Sequence, residues 1–145
     1  MTITRTDLSC CNLLPRALLV WLGLLVLAFA NGFFREIALV RLMSPAAAEA
    51  FSALLLAFLI VLAAWLLVRW TPQRYSLKAW LGIGLLWVGL TAVLEFGVFH
   101  FLLGTPWQDL LADYDPRYGY FGFAQLTVLL APALCAAWQR SGRSA

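Results

Sequence analysis

One carboxylate in the sequence lies inside a long apolar segment, and it is the side chain best placed to do chemistry. Glu95 comes after residues 79–94, which carry no charge, and before the apolar residues 96–99. An ionisable side chain at the centre of a membrane span costs about 2.5–3.5 kcal/mol on insertion scales, so it needs a partner or a function. Glu95 is therefore the first candidate for a group that titrates or binds a cation.

Polar residues of two other segments reach the level of Glu95 when distance is counted along each span from its basic end. At 1.5 Å per residue, Glu95 lies about 24 Å along its span, Asn31 about 21 Å, Arg35 about 27 Å and Gln125 about 20 Å. His100 lies beyond this layer. We expect these five residues to form a polar cluster, which is a candidate binding site.

Within this cluster the expected interaction is an ion pair between Glu95 and Arg35. A guanidinium stays charged and can bind a carboxylate through two hydrogen bonds. Asn31 and Gln125 would then satisfy the remaining donors and acceptors. Two interpretations stay open. The pair fixes the register of the helices, as buried polar groups can do, or it belongs to a functional site, as intramembrane acids often do.

No other residue pattern predicts catalysis or a cofactor. The chain lacks a Ser-x-x-Lys motif, a His-Glu zinc motif and a glycine-rich phosphate loop, so we predict no catalytic residue, no cofactor and no enzyme class. A lone His100 near an interface is typical of a hydrogen-bonded anchor. Three aspartates lack the alternating oxygens and central glycine of a calcium loop, and we predict no metal site at Asp109, Asp113 and Asp115.

The composition indicates which kind of protein must position these residues. The chain has 145 residues, of which 63% are hydrophobic and only 12% are charged, and its mean hydropathy is +0.87. A soluble domain is about half apolar and about a quarter charged. Disordered chains have few apolar residues and many charges. Both classes are therefore excluded, and an integral membrane protein is predicted.

Four segments are long enough to cross a hydrocarbon core about 30 Å thick, which needs about 20 helical residues. They cover approximately residues 17–34, 45–68, 79–103 and 120–138. Ser44 with Pro45, and Ser76, are typical of the starts of the second and third helices. We therefore predict an all-α fold, a single transmembrane domain over residues 1–145 that forms a bundle of four transmembrane helices.

The first and third connections contain amphipathic segments. Residues 105–114 combine a helix-start pattern at Thr105–Gln108 with apolar residues at helical spacing, and Pro116 ends the segment. Residues 33–41 are patterned similarly, so we expect the first span to kink at Gly32 and to finish along the interface. Both segments predict short interfacial helices on the outer side of the bundle.

Four glycines in the third span predict close helix packing: Gly82, Gly84, Gly89 and Gly97. Small residues let the backbones of transmembrane helices approach one another. Gly89 and Gly97, with Val93 between them, lie on one helix face. We expect another helix to pack there, either from the same bundle or from a second copy of the chain.

Basic residues predict the orientation. Seven of the ten Lys and Arg residues lie near the termini or in the second connection. By the positive-inside rule, the N- and C-termini are cytoplasmic, and the short basic connections are typical of a bacterial inner (plasma) membrane. This distribution accounts for the net charge of +3 without a continuous basic face, so no nucleic-acid partner is predicted. Ala28-Phe29-Ala30 imitates a signal cleavage site, but the apolar run continues to Phe34 and predicts a retained anchor.

Three stretches of the sequence carry a resemblance to known proteins. They are Asn31-Gly32-Phe33-Phe34-Arg35-Glu36, then Glu95-Phe96-Gly97, and then Trp107 to Asp113-Tyr114 ahead of a final helix with Pro132. Over nearly the whole chain the sequence resembles small four-helix bacterial inner-membrane proteins of unknown function, which implies the fold but no activity. It is also similar in helix number to the small multidrug-resistance transporters. Their membrane glutamate lies in the first helix, however, and here no glutamate precedes Arg35.

Three classes of function follow. The sequence favours a non-catalytic structural or accessory role, with the lipid bilayer and either a second copy or another membrane protein as partners. The alternative is a small transporter or binder of a cation, a proton or an amphipathic molecule that uses Glu95. The third class is an enzyme that acts on lipid, with Glu95 or His100 as acid or base, for which the sequence offers no nucleophile.

Overall fold

The computed structural model describes residues 5–71, 75–102, 104–108 and 120–142, and its regular structure is helical. The α-helices, α1 to α5, cover Arg5–Phe34, Val40–Leu42, Pro45–Trp70, Leu77–Glu95 and Phe121–Ser141. Two π-helical segments directly follow α1 and α4: π1 covers Arg35–Leu39 and π2 covers Phe96–Leu102. The chain therefore changes its helical hydrogen bonding at two places in the described residues, one in each of two long helical segments.

Among the described residues, four helices are long and apolar enough to cross a membrane, and they cover Asn12–Leu42, Pro45–Trp70, Leu77–Val98 and Gly122–Ser141. The chain is thus a multi-pass membrane protein, and the predicted all-α fold with four transmembrane helices is confirmed. The first span extends past residue 34 because α1, π1 and α2 follow one another without a break.

Serine hydroxyls cap the starts of α3 and α4, as the sequence predicts. The Ser44 hydroxyl accepts a hydrogen bond from the Ala47 N–H at 3.4 Å, and Pro45 occupies the first turn, where its missing N–H leaves no donor unsatisfied. The Ser76 hydroxyl accepts a hydrogen bond from the Ala79 N–H at 3.3 Å. Each cap gives a partner to an N–H group that the helix itself cannot satisfy.

The helix is uninterrupted at Gly32, where the sequence predicts a kink. α1 continues to Phe34, and the irregular segment is π1, which starts at Arg35. A single glycine lowers helix propensity by about 1 kcal/mol but leaves the helical hydrogen bonds available. Residues 33–41 continue the first helical segment, Asn12–Leu42, through π1 and α2, and their predicted position along the interface stays a prediction.

Helix α5 is at the centre of the packing. It lies against both α3 and α4, whereas α1 lies against α3 and more loosely against α4. The interior combines two fully buried rings, Trp80 and Trp87, with fully buried small residues such as Ala64 and Ala136. Lipid tails are as apolar as these side chains, so close packing rather than burial from water drives such helices together.

The closest fit that a glycine makes in the described residues is at Gly84. A Cβ atom added there would lie 2.0 Å from the carbonyl oxygen of Leu129 in α5, so only glycine is compatible with this contact. The predicted close packing of the third span is thus found at Gly84, whereas Gly89 and Gly97 make no such contact within the described part of the bundle, and their packing against a second copy stays a prediction. A Cβ atom at either position meets no atom within 4 Å, and Gly89 is exposed. The glycine spacing alone does not fix which face of the third span points inward.

At one end of the bundle, arginines of the first and last helices bind the backbone at the end of α3 and in the connection that follows it. Arg16 donates to the carbonyl oxygen of Trp70 at 2.9 Å, and Arg140 donates to the carbonyl oxygen of Tyr75. We call this the termini end, and the opposite end, which holds π1 and π2, the far end. The amphipathic segment predicted in the third connection falls mostly on residues 109–119, outside the described residues.

The contact at Gly84 predicts a difference between two Gly→Ala variants of the same helix. Gly84→Ala forces a methyl group against backbone and should lower the free energy of unfolding by about 1–3 kcal/mol. Gly89→Ala meets open space and should raise it by up to about 1 kcal/mol, because alanine favours the helix. The measurement is an SDS titration of the purified protein followed by circular dichroism. Equal stability of the two variants would contradict the observed packing of α4 on α5.

Candidate functional site

A cavity of about 90 Å³ lies between all four membrane-spanning helices. Its lining residues come from α1, α3, α4 and α5, and most of them are apolar. They are Trp21, Leu24, Leu25, Ala28, Leu56, Ile60, Thr91, Glu95, Ala124, Gln125 and Val128. A mainly apolar cavity with a few convergent polar groups is the usual form of a small-molecule site in proteins.

Two of the polar residues predicted from the sequence meet in this cavity. Glu95 is the last residue of α4, directly before π2, and its side chain is half-buried. Gln125 lies in the first turns of α5 and is only 9% exposed. Among the described residues, the Gln125 side-chain oxygen Oε1 has no hydrogen-bond partner. The cavity wall therefore contains a carboxylate residue and an amide residue, and the Oε1 atom of the amide is buried.

A ladder of hydrogen bonds joins α1 to α4 on the side of the cavity nearer the termini end. Trp21 Nε1 donates to the Thr91 hydroxyl at 3.1 Å, and that hydroxyl donates to the carbonyl oxygen of Trp87 at 2.9 Å. Trp87 Nε1 in turn donates to the carbonyl oxygen of Ala17 at 2.9 Å. The Thr91 hydroxyl thus both accepts and donates within the protein.

The cavity is also lined by Trp21 and Thr91, which the sequence did not predict as site residues. Thr91 carries the only hydroxyl in residues 79–94 and comes one helical turn before Glu95. That spacing places the two side chains on the same helix face, so it could have linked them. No sequence pattern indicates Trp21 as a cavity residue, because a tryptophan in an apolar span usually predicts ordinary packing.

Asn31 lies outside the cavity lining and joins α1 to α3. Its Nδ2 donates to the Ser52 hydroxyl at 2.8 Å and to the Ser52 carbonyl oxygen at 3.1 Å. Both residues are buried. Side-chain hydrogen bonds of this kind hold transmembrane helices together. Asn31 therefore fixes two helices to one another, and its partner is Ser52 rather than Glu95 or Gln125.

The ion pair predicted between Glu95 and Arg35 differs from the one in the structure. Arg35 Nε lies 3.1 Å from Glu36 Oε1, and the two side chains are 39% and 64% exposed. Arg35 is the first residue of π1, so its adjacent carboxylate is within reach without crossing the bundle. A pair this exposed contributes about 0–1 kcal/mol.

His100 belongs to an aromatic group in π2 and the residues after it. Its Nδ1 lies 2.9 Å from the carbonyl oxygen of Thr105, and its ring centroid lies 4.1 Å from that of Trp107. The Phe96 ring lies 5.7 Å from the same tryptophan. His100 is thus anchored by a hydrogen bond and by ring stacking at the far end, outside the cavity lining.

The polar side chains that line the cavity are those of Trp21, Thr91, Glu95 and Gln125, and such groups can bind a ligand. No group of three or more His, Cys, Asp or Glu residues in the described part of the chain could hold a metal ion. Asp109, Asp113 and Asp115 lie outside the described residues. A few polar groups in apolar surroundings can fix the orientation of a bound ligand.

The contacts of Asn31 and Arg35 predict opposite results for two alanine variants. Asn31→Ala removes the bonds to Ser52 and should lower the free energy of unfolding by about 1 kcal/mol, the usual scale for interhelical hydrogen bonds in membranes. Arg35→Ala removes an exposed pair and should change it by well under 1 kcal/mol, an order-of-magnitude limit. Both are measured by SDS titration. A large loss of stability in Arg35→Ala would instead support its pairing with Glu95.

Comparisons of the chain with models of protein families, with curated proteins and with solved structures found no match. The fold and the site are therefore interpreted from the chain's own residues. Those residues form a multi-pass helical membrane protein with a cavity between its four spanning helices, and Glu95 and Gln125 are among the residues that line it.

Proposed function

We propose that this protein binds a small molecule at the cavity between its four helices, either as a binding protein or as a transporter. The observation that carries the proposal is the meeting of Glu95 and Gln125 in the wall of an otherwise apolar cavity. Ionisable residues inside membrane proteins are expensive, and those that persist commonly mark substrate or ion pathways. The apolar lining would hold the body of the ligand, and the two polar groups would fix its orientation.

A structural or accessory role is the second candidate. It is favoured by the outward face of α4, where Gly89 is exposed and Val93 is 73% exposed. In that case the partner is a second copy of the chain or another membrane protein, and Glu95 belongs to the architecture. The two candidate functions predict different companions for the protein after extraction from the membrane: a small molecule for the binding function, and a partner chain for the accessory role.

We further propose that the protein lies in a bacterial inner membrane with both termini in the cytoplasm. The support is the excess of Lys and Arg at the termini end, where Arg16 binds the last residue of α3 and Arg140 binds Tyr75 in the connection after it. Alkaline phosphatase is active only outside the cytoplasm. Alkaline phosphatase fused after Gly142 should therefore be inactive, and an active fusion would contradict a cytoplasmic C-terminus.

The test of ligand binding is native mass spectrometry of protein released gently from its own membrane. Wild type should retain a small molecule, and Glu95→Gln should lose it because the carboxylate charge is gone. Glu49→Gln is the matched control, since it makes the same change in α3 outside the cavity lining, and it should retain the molecule.

Two outcomes would go against this proposal. If wild type and Glu95→Gln both retain the same partner chain and no small molecule, the accessory role is supported instead. If both retain the same small molecule equally, the ligand binds somewhere other than beside Glu95.

A further inference from the structure

We infer that the four-helix cavity holds an alkyl chain, namely the end of an acyl chain of a membrane lipid. The inference rests on the proposed binding at this cavity, adds the chemical class of the ligand and does not depend on the charge of Glu95. It follows from the surface that the cavity offers, from its size and from its place in the bundle.

The surface that the cavity offers to a ligand is almost wholly apolar. The Trp21 N–H donates to the Thr91 hydroxyl, and that hydroxyl donates to the carbonyl oxygen of Trp87, so both groups are already hydrogen-bonded within the protein. Glu95 already has a partner in the chain, and the Gln125 Oε1 atom is buried. A hydrocarbon gives up no hydrogen bonds on entering such a cavity, whereas a polar molecule would leave its own donors and acceptors unpaired.

The size and the walls of the cavity suit a narrow aliphatic group. A cavity of about 150 Å³ holds benzene, so the cavity of about 90 Å³ found here suits a smaller group, such as the last few carbons of an alkyl chain. Leu24, Leu56, Ile60 and Val128 supply aliphatic walls from α1, α3 and α5. Each contact between CH groups is weak, but many such contacts around one chain end add up.

The place of the cavity in the bundle makes a lipid the source of the chain. The helices around it span the membrane, so their outer surfaces meet lipid tails. Ile60 lies about 15 Å along α3 from the last residue, Trp70, which is about half of a hydrocarbon core of about 30 Å. Acyl chains end at that depth. Helix α1 packs less closely on α4 than on α3, so a chain end can pass between α1 and α4.

Three isoleucines provide the reporter for the experiment and its two controls. Ile60 lines the cavity and is 3% exposed. Ile83 is similarly buried, at 7% exposed, but lies outside the cavity lining. Ile37 is 59% exposed on the first spanning helix. The three methyl groups therefore sample the cavity, the packed interior and the outer surface of the same protein.

The experiment measures nuclear Overhauser effects between these methyl groups and lipid. The full chain is deuterated except for ¹³C-labelled isoleucine δ1 methyl groups and is placed in lipid nanodiscs. Ile60 and Ile37 should both give cross-peaks to the acyl chains, and Ile83 should give none. Cross-peaks from Ile60 to water alone would overturn the inference, as would the absence of any cross-peak from Ile60 to an alkyl chain.

A second lipid preparation identifies the source of the chain. In nanodiscs made with chain-deuterated lipid, the cross-peaks of Ile60 and Ile37 should both disappear. If the Ile60 cross-peak persists while that of Ile37 disappears, an alkyl molecule purified with the protein fills the cavity, and the assignment to a bilayer lipid is overturned.

A variant that fills the cavity tests the location. Ala28→Leu adds carbons to the cavity wall and should abolish the cross-peak of Ile60 to lipid, while that of Ile37 stays. Ala30→Leu makes the same change at an exposed position of α1 outside the lining and should leave both cross-peaks unchanged. An undiminished Ile60 cross-peak in Ala28→Leu would overturn the inference. If that variant fails to fold, the comparison of Ile60 with Ile83 in wild type still decides.

The outcomes separate this inference from the proposed role of Glu95. If Ile60 contacts an acyl chain while Glu95→Gln keeps its ligand in native mass spectrometry, the alkyl chain stands and the dependence on Glu95 falls. If native mass spectrometry shows a ligand that depends on Glu95 while Ile60 contacts water alone, the binding function stands and the alkyl chain falls.

Discussion

The bundle depends on a backbone contact in which Gly84 of α4 lies against the carbonyl group of Leu129 in α5. Inside a bilayer, lipid tails satisfy apolar side chains as well as another helix does, so helices associate only where they pack better than lipid packs. Glycine at position 84 permits that fit. Because α5 also lies along α3, the same contact fixes α3, α4 and α5 as one packed unit.

Helix α1 is held to this unit by side-chain hydrogen bonds. Its looser fit against α4 leaves the space that forms the cavity. Helix α1 lies along α3, where Asn31 binds Ser52, but it meets α4 less closely. The hydrogen bonds of Trp21 and Trp87 join α1 to α4 on the side nearer the termini end. Beyond them toward the far end, space remains between the helices, and Glu95 and Gln125 lie in its wall.

The sequence predicts the lengths of the helices better than their rotation. Span lengths follow from hydropathy, and the starts of α3 and α4 follow from Ser44 and Ser76, because both are local properties. Counting along each span places Glu95 and Gln125 at one level, and they do line one cavity. Counting says nothing about which way a helix faces, so Asn31 and Arg35 point to Ser52 and Glu36 instead.

Helix rotation depends on contacts between segments far apart in the sequence. The inward face of α4 is set by Gly84 on Leu129, yet the spacing of Gly89 and Gly97 is an equally good pattern in the sequence alone. The π-helical segments π1 and π2 also escape prediction. They add a residue to a turn and rotate everything after them, and no residue type marks where they begin.

The account depends on the contact of α4 with α5, and a distance measurement tests that contact most directly. Solid-state NMR of the protein in bilayers, with ¹³C at the Cα of Gly84 and at the carbonyl carbon of Leu129, reports the separation of the two atoms. A Cβ atom added to Gly84 would lie 2.8 Å from that carbonyl carbon, so the account predicts a distance below about 4.5 Å between the labelled atoms, given a carbon–carbon bond of about 1.5 Å. The absence of any magnetisation transfer between the two labelled carbons would contradict the account.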